Sequence, residues 1–589
     1  MKSLIGLSRS LLHDLQRLHP ECKGLDRDLR TIEARIKNEG VGFLSVSLPA
    51  FGKAFDQSLA LGRMAHIPGF SRDGEIPKFL SGILVHVFDT KTGLLKEVSD
   101  PGYIVSIRQI CYFFKKYLPA DLRAARLERE AIRDFEQTEE SMGGFHSPLV
   151  DALGRVCDFL LPKLDEFQDT RCKHGPGAVL EGYTPNEKWS EVYNRLLDFD
   201  GRLMQVGYDL PAFLLADTAI PPQSSQNDLP SLCAKLVTVP KSCSALRIIT
   251  VEPCLNQFVQ QGLNGILRDE IRKCTVLRNS LSLNTQVPNQ ELALEGSRTG
   301  KWVTVDLSSA SDLLHNDLVK LVFRKKPRFL EALMNCRTPQ VSINSKELSL
   351  KKFAGMGNAT TFPVQSVVFA SLAIASILQS DKSLTLAKLV RAARCVRVFG
   401  DDIAIKSEHY PGLADWISSF GLKINQGKTF SEGFFRESCG VDAYTGVDVT
   451  PVYLRYDPEV TSTEPNALLS LVSTSNQLWQ KAYYKTSDYL KKLVEALLGP
   501  LPLVSEDCPA LGWTSRRNAS QGQRWSQTLH RFEVRSYVAV PTRRKDALDG
   551  YPALIKFFHS PHLAEFDEDH LSTSVRKFNV KLRKRWVQV

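Results

Sequence analysis

The sequence predicts an α+β protein in which antiparallel strands carry acidic residues at their ends. Two stretches lead to this expectation. The first is Val396–Ile403, where Val396, Val398 and Phe399 precede Gly400, Asp401 and Asp402. The alternating apolar residues predict a strand, and Gly400 permits a tight hairpin whose tip carries both acids. Ile403, Ala404 and Ile405 supply the returning strand. Adjacent like charges cost free energy unless a cation compensates them, and a divalent metal is the natural candidate. The second stretch is Lys301–Leu307, in which Val303 and Val305 alternate and Asp306 closes the run. Ser308, Ser309 and Ser311 follow, residue types that cap turns and helix starts, and then Asp312.

An Asp-Asp pair alone reads more readily as a surface turn than as a metal site. Two strands that each deliver an aspartate at one end change that balance, because they can bring carboxylates together. That is the geometry of a two-metal phosphoryl-transfer site, with ions roughly 3.5–4 Å apart. The expected ions are two Mg²⁺, with Mn²⁺ as a substitute, since Mg²⁺ binds through one or two carboxylates plus substrate phosphates.

Composition sets the outer limits. A chain of 589 residues has room for about three to five units of ordinary domain size. Apolar residues at 43% and charged residues at 24% are ordinary for a globular protein. A formal charge of +10 favours a polyanionic partner, although solubility alone accounts for it almost as well. The 12 cysteines form no CxxC pair and no compact cluster with histidine, which argues against zinc and for reduced thiols. Met1–Leu12 lacks the long apolar core of a secretory signal. No stretch is apolar for the length of a membrane span, and Phe362–Leu378, interrupted by Pro, Gln and Ser, reads as a buried helix.

Taken in order, residues 1–40 are expected to be helical, with Leu4, Leu7, Leu11, Leu12, Leu15 and Leu18 as a packing stripe. Residues 41–105 read as Gly- and Pro-rich with short β-prone runs, including a strand over Ile83–Phe88. Helices are expected over Ile107–Tyr117, Asp121–Glu140 and Val150–Phe159. Lys173–Ala178 carries Gly175 and Gly177, either as a plain turn or as a close approach to phosphate. A Pro/Ser/Asn loop spans Pro221–Pro230. Leu236–Lys241 and Arg247–Pro253 read as paired strands, with Lys235, Lys241 and Arg247 near their connection. Three cations there suit a triphosphate or a phosphate backbone, and a solvated basic hairpin is an equal alternative.

Asn256–Arg272 and residues 313–335 are expected to be helical, and Pro339–Leu350 to form a hairpin around Ser345 and Lys346. Gly355 and Gly357 allow a bend before the helix Val364–Leu378, with Asn358, Thr360 and Thr361 offering polar groups at its mouth. Residues 382–395 read as a basic helix, Leu413–Phe420 as a helix stopped by Gly421, and Lys423–Asn425 as a short strand. A strand pair is expected within Ala443–Tyr453 and helices over Leu468–Tyr484 and Tyr489–Leu497. Residues 498–513 read as a linker. Arg543, Arg544 and Lys545, then Arg576, Lys577, Lys581, Arg583, Lys584 and Arg585, make the C-terminal region basic. Nucleic acid and plain solvent are both suitable surroundings for such a tail.

Several ordered segments together resemble the catalytic β subunit of the RNA-directed RNA polymerase of small positive-strand RNA bacteriophages, the levivirus replicase family. They are Val237–Lys241 with Ile249–Pro253, Gly265–Asp269, Thr304–Asp312, Met356–Asn358 with Thr361 and Phe362, Gly400–Asp402, and Lys428–Gly440 continuing into Gly446–Tyr453. The likeness is good over roughly residues 170–455. The family usually has Tyr before Gly-Asp-Asp; here it is Phe399, whose ring is expected to pack rather than ligate.

The resemblance implies a right-hand polymerase fold with fingers, an antiparallel-sheet palm and a mostly helical thumb. The expected divisions are residues 1–105 as an N-terminal region contributing to fingers and packing, 106–300 as fingers with the first palm elements, 301–455 as the palm, and 456–589 as thumb and basic C-terminal region. It implies RNA copying from ribonucleoside triphosphates in the cytoplasm of an infected bacterium, with RNA template and nascent RNA as partners. Host elongation factors Tu and Ts and ribosomal protein S1 are implied as further partners, and a membrane is not.

On this reading Asp306 and Asp401 are the main metal ligands and Asp402 assists. Lys241 and Arg247 clamp the triphosphate. Asp312, Asn358 and Thr361 recognise the ribose 2′-hydroxyl. Lys428 is either the acid that protonates leaving pyrophosphate or a structural ion-pair partner, and Arg436 holds the primer strand or the palm–thumb junction. Two other classes fit less well: a reverse transcriptase, which would carry a bulky ribose gate where Ser311, Asp312 and Asn358 are polar, and a non-catalytic RNA-binding protein, for which three retained aspartates have no use.

Overall fold

The computed structural model describes residues 2–588 apart from 98, 120–123, 145–147, 167–171, 198–232, 345, 382, 460–463, 515–522, 543, 546, 560–572 and 575–579. Its architecture is a mixture of α-helices and small, mostly antiparallel sheets. The strand Trp302–Val305 is buried along its whole length. Apolar and small polar residues on both of its faces are what such a position requires. It pairs antiparallel with Asp402–Lys406, which pairs in turn with Val396–Phe399. The register sets Ile403 opposite Val305 and Asp402 opposite Phe399. Asp306 and the Gly400–Asp401 turn therefore leave the sheet at the same end. Helix Val287–Thr299 packs on this sheet, and Gly296 allows the contact: a Cβ there would sit 2.8 Å from the carbonyl oxygen of Trp302.

A second sheet has four strands in the order Ala245–Val251, Cys233–Ser242, Gln340–Ile343, Lys346–Ser349. The hairpins expected around 242–245 and 345 are both present, and the two are joined by a parallel pairing of Cys233–Lys235 with Gln340–Ser342. Between the two sheets' chain segments lies helix Thr361–Ile377, on which Val364, Val367 and Ala370 are completely buried. It is apolar all round because it sits inside the larger core rather than on its surface.

A separate core joins the two ends of the chain. The leucine stripe Leu4, Leu7, Leu11, Leu12 and Leu15 is buried, and its helix packs against Tyr484–Leu498. Arg108, also buried, forms salt bridges with Asp56 and Asp442 and donates to the carbonyl of Val449 at 3.1 Å, tying the N-terminal helices to the strand Val441–Tyr444.

Four local expectations are corrected. Ile83–Phe88 is not a strand; Ser81–Leu84 is a helical turn, and Ile83, Leu84, Val87 and Phe88 are all buried, the spacing of a helix face. Leu48–Leu61, within the region read as Gly- and Pro-rich with short β-prone runs, is a helix whose Phe51, Phe55 and Leu59 repeat every four residues. Within Ala443–Tyr453 the strands are only Val441–Tyr444 and Val447–Asp448, and the former pairs with Phe435–Ser438. The C-terminal region is helical only in part: beside the helices Pro465–Gln480, Tyr484–Leu498 and Gly550–His559 it forms an antiparallel sheet of Gln523–Ser526, Arg531–Pro541 and Val580–Gln588. β-Branched and aromatic residues in Arg531–Pro541 favour the extended form, a pattern the basic residues of Val580–Gln588 conceal. The loop Pro221–Pro230, Arg543, Arg576 and Lys577 lie outside the described residues.

Candidate active site

The ends of these strands open into one cavity of about 770 Å³. Its wall includes Lys241, Arg247, Asp306, Asp312, Asn358, Thr361, Asp401 and Lys428, so residues chosen from five separate stretches of sequence meet there. Asp402 is not in the wall. Its Oδ2 accepts from the Cys439 thiol at 3.5 Å instead.

Asp306 follows directly on its strand and is fixed by a turn far along the chain. Asn425 Nδ2 donates to Asp306 Oδ2 at 2.7 Å, Asn425 N donates to the Asp306 carbonyl at 2.9 Å, and Asp306 N donates to Thr429 Oγ1 at 3.2 Å. Lys428 Nζ stands 4.0 Å from Asp306 Oδ2 and 3.5 Å from Glu437 Oε1. Burial raises the Asp306 pKa, against the pull of Lys428 and Asn425, and Asp401 raises it further. Asp402 is pushed up to about 7, by burial first and then by Asp401 and Asp306. Burial alone would lower the pKa of Lys428, but Glu437, Asp306 and Asp402 outweigh it and the net direction is upward.

Asp306 and Asp402 thus both resist ionising, through burial first and through neighbouring acid second, which marks a local deficit of positive charge. A hard divalent ion would suit that deficit: Asp306 and Asp401 in the cavity wall offer oxygen donors, and no thiol lines it among the described residues. Among the described residues, the group of His, Cys, Asp or Glu side chains whose ligand atoms all fall within 4.8 Å is Glu21, Cys22 and His86, not these aspartates. In that N-terminal group Glu21 Oε1 already accepts from Tyr103 at 2.6 Å, and burial holds the Cys22 thiol protonated with a pKa of about 11.

The hairpin turn itself is set by packing. Gly400 has φ +66°, and a Cβ there would meet the Phe362 ring at 2.8 Å. Phe399 packs edge-on against the same ring at 5.0 Å, so it contributes apolar contact at the position where the resembled family carries Tyr. Gly357 has φ +151°, and a Cβ there would lie 1.8 Å from the Thr250 carbonyl oxygen. Only glycine lets this loop close onto the strand Ala245–Val251, where Thr250 N donates to the Met356 carbonyl at 3.0 Å.

Lys241 and Arg247 belong to the basic hairpin and line the cavity, and their side chains form no hydrogen bond or salt bridge among the described residues. Lys235 lies further along and does not line the cavity. Asn358 Oδ1 accepts from Thr360 N and Oγ1 at 2.8 and 2.6 Å, while its Nδ2 is buried without a partner. Thr361 Oγ1 is turned away, donating to the Gly355 carbonyl at 2.9 Å.

One residue and one segment singled out from sequence have structural duties. Arg436 is 1% exposed and donates to the carbonyls of Trp302, Glu432, Gly433 and Phe435, so it cannot hold a primer strand. The Gly175 and Gly177 carbonyls accept from Lys188 Nζ at 3.1 and 2.5 Å, which makes Lys173–Ala178 a fastened turn. Sequence reasoning missed Asn425, Gln365 and Lys352. Gln365 faces the cavity with a buried, unpartnered Oε1, and lies one helical turn beyond Thr361, which is the signal that was available. Asn425 and Lys352 carry no such signal, because their partners lie at distant positions in sequence.

Comparison with known proteins bears on the same segment. Residues 212–480 match the family model described as RNA replicase, beta-chain. The chain is 42% identical over 225 residues to RNA-directed RNA polymerase subunit beta of Escherichia virus Qbeta, an alignment covering 38% of this chain and 35% of that protein. It is 33% identical over 218 residues to RNA-directed RNA polymerase beta chain of Escherichia phage MS2, covering 37% of each. A solved RNA-dependent RNA polymerase of a human picobirnavirus, an insertion-loop deletion mutant, aligns with a TM-score of 0.38 at 12% identity, over 63% of this chain and 76% of that one. The aligned stretches span little more than a third of the phage relatives' length. Residues 212–480, matched by the family model, hold Lys241, Arg247, Asp306, Asp312, Asn358, Thr361, Asp401, Asp402 and Lys428. Through this segment the chain is homologous to the beta subunits of the levivirus-type RNA-directed RNA polymerases.

Proposed function

We propose that the protein is an RNA-directed RNA polymerase that replicates a single-stranded RNA phage genome from ribonucleoside triphosphates. One observation carries the reading: Asp306 and Asp401 face a single cavity with Lys241, Arg247 and Lys428, within the segment homologous to the phage polymerases. In the reaction the RNA 3′-hydroxyl attacks the α-phosphate and pyrophosphate leaves. Two Mg²⁺ ions bound by Asp306 and Asp401 would lower the pKa of that hydroxyl and neutralise the phosphates. Asp402, turned toward Cys439, assists the pair from beside the cavity.

Lys241 and Arg247 draw the triphosphate in, and Arg247 offers the forked donor that phosphate oxygens fit. Lys428, held protonated by its acidic neighbours, delivers a proton from Nζ to the departing pyrophosphate. Asp312 and Asn358 take the ribose 2′-hydroxyl, Asn358 through its unpartnered amide. Thr361, whose hydroxyl is engaged by Gly355, acts by holding that loop. Residues 301–455 serve as palm, 106–300 as fingers with the first palm elements, 456–589 as a thumb of helices and sheet, and 1–105 as packing for the fingers. Host elongation factors Tu and Ts, ribosomal protein S1, RNA template and nascent RNA are the proposed partners, met in the bacterial cytoplasm; among the described residues no helix is long and apolar enough to cross a membrane.

The test is copying of a defined RNA by the purified chain, with and without Mg²⁺ and the host proteins, supplied with either ribo- or deoxyribonucleoside triphosphates. Mg²⁺-dependent RNA synthesis is expected. Exclusive deoxynucleotide incorporation would make the protein a reverse transcriptase instead, and RNA binding without synthesis under every condition would make it a binding protein.

A further inference from the structure

We propose that Lys352 is a positioning residue for sugar selection: it holds one carboxylate oxygen of Asp312 so that the other is presented to the 2′-hydroxyl of the incoming nucleotide. The inference rests on the polymerase reading and on the role given there to Asp312.

Lys352 is buried, with a side chain 1% exposed, and it does not line the cavity. Asp312 does line it. Lys352 Nζ donates to Asp312 Oδ1 at 2.7 Å from behind the wall and lies 3.9 Å over the Phe135 ring. Asp312 Oδ2 accepts no hydrogen bond among the described residues, so it is the oxygen that this wall residue has left to offer. An ammonium removed from water is strongly unfavourable unless it is paired, so the Nζ position is decided by its acidic neighbours.

There are two such neighbours, and they are not treated alike. Glu139 Oε1 lies 3.9 Å from Nζ, beyond hydrogen-bonding range, and has no hydrogen-bond partner although it is buried. Glu139 is anchored through Oε2, which accepts from Lys351 N at 2.9 Å. Lys352 therefore spends its short bond on the acid that faces the cavity and leaves the one that does not. Its backbone is fixed to the segment following Asp312: His315 and Lys352 form an isolated bridge, and Phe353 N donates to the Leu314 carbonyl at 2.8 Å. The Lys352 carbonyl accepts from Arg337 at 2.8 Å. Both ends of the Lys352–Asp312 bond are thus set on one rigid unit, and the carboxylate cannot rotate without breaking it. A 2′-hydroxyl would donate to the fixed oxygen; a deoxyribose has nothing to donate.

The experiment compares kcat/KM for ribo- and deoxyribonucleoside triphosphates on one RNA template. The wild type, D312A, K352M, K352R and the double variant E139Q/K352M are measured, with a thermal melt of each. The double variant removes both buried charges and carries the measurement if K352M is too unstable to assay. Loss of one such hydrogen bond is expected to lower the ribo-over-deoxyribo ratio about tenfold in D312A, in K352M and in the double variant, chiefly by raising KM for ribonucleotides. K352R keeps a cationic donor and should retain most of the ratio. If the Lys352 variants lose both activities by the same factor, or keep the wild-type ratio, the proposal is overturned while the polymerase reading stands. An unchanged ratio in D312A overturns the role of Asp312 and this proposal together. The assays include the host proteins, and a wild type that makes no RNA in their presence overturns the polymerase reading itself.

Discussion

The side-chain amide of Asn425 donates to Asp306 Oδ2 at 2.7 Å across 119 positions of sequence, and the Asn425 backbone donates to the carbonyl of the same aspartate. One turn thus fixes both the main chain and the carboxylate of the residue on which the proposed chemistry depends. Asn425→Ala removes the amide and frees the carboxylate to rotate. We expect polymerisation to slow about tenfold, the effect of one hydrogen bond to a charged group. Asn425→Asp should be worse, since it sets a like charge beside Asp306. Steady-state RNA synthesis by the two variants decides the matter, and equal activity to wild type would dismiss Asn425 as a positioning group.

Asp401 stands at the hairpin tip facing the cavity. Asp401→Asn keeps shape and removes charge. Ion-mediated stabilisation is worth several kcal/mol, so synthesis should fall on the order of 10³-fold. RNA affinity, measured by fluorescence anisotropy, should change little because the template is gripped elsewhere. Retained synthesis would refute the ligand assignment.

Gly357 combines φ +151° with a Cβ position 1.8 Å from the Thr250 carbonyl. Gly357→Ala must push the loop away from its strand. A destabilisation of about 1–3 kcal/mol is expected, visible as a lower denaturant midpoint. Gly265→Ala, where no atom lies within 4 Å of the added Cβ and the position is helical, is the control and should be neutral or stabilising.

Arg436 donates to four backbone carbonyls around Trp302 and Phe435. Arg436→Met strands those acceptors in a buried place, each at a cost of about 1–3 kcal/mol before relaxation. Stability should drop sharply in urea. KM for nucleotide and affinity for RNA should be unchanged at a temperature where the variant is folded; a selective loss of RNA affinity would restore the primer-strand role.

Glu252 is buried beside the glycine loop and accepts from Thr250, Thr338 and Gln260 at 3.1, 2.7 and 3.1 Å. Burial pushes its pKa above the ordinary 4.5, and these three bonds only partly oppose the shift. The folded chain therefore holds this proton to higher pH than the unfolded chain does. Stability from this group is full below pH 4.5 and falls as pH rises from there through the raised folded value. Glu252→Gln, neutral at every pH, should remove that slope. Urea melts of both proteins at pH 5 and pH 8, in roughly equal ionic strength, would expose the difference, and identical slopes would count against it.

The Phe399–Gly400–Asp401 hairpin and the strand Trp302–Val305 that ends before Asp306 were legible because a two-residue period and a glycine are local signals, and both emerged with the expected pairing. So were the leucine stripe of the first helix and the basic hairpin. Ile83–Phe88 was misread because a run of six residues fits a period of two or of four about equally well until its neighbours are known. The sheet of Arg531–Pro541 and Val580–Gln588 was hidden because an edge strand rich in cations carries no apolar alternation.

Residue chemistry along the chain was enough to specify the inventory of the site: acids at strand ends, cations on a hairpin, glycines where backbone meets backbone. Tertiary structure alone decided how those acids are used. It turned Asp402 toward Cys439 and Thr361 toward Gly355, spent Arg436 on carbonyls, and recruited Asn425 and Lys352 to hold Asp306 and Asp312. The reason is physical. Strand and turn propensities act between neighbours in sequence, whereas the direction a buried polar group faces is chosen by whichever partner the folded chain brings within hydrogen-bonding distance.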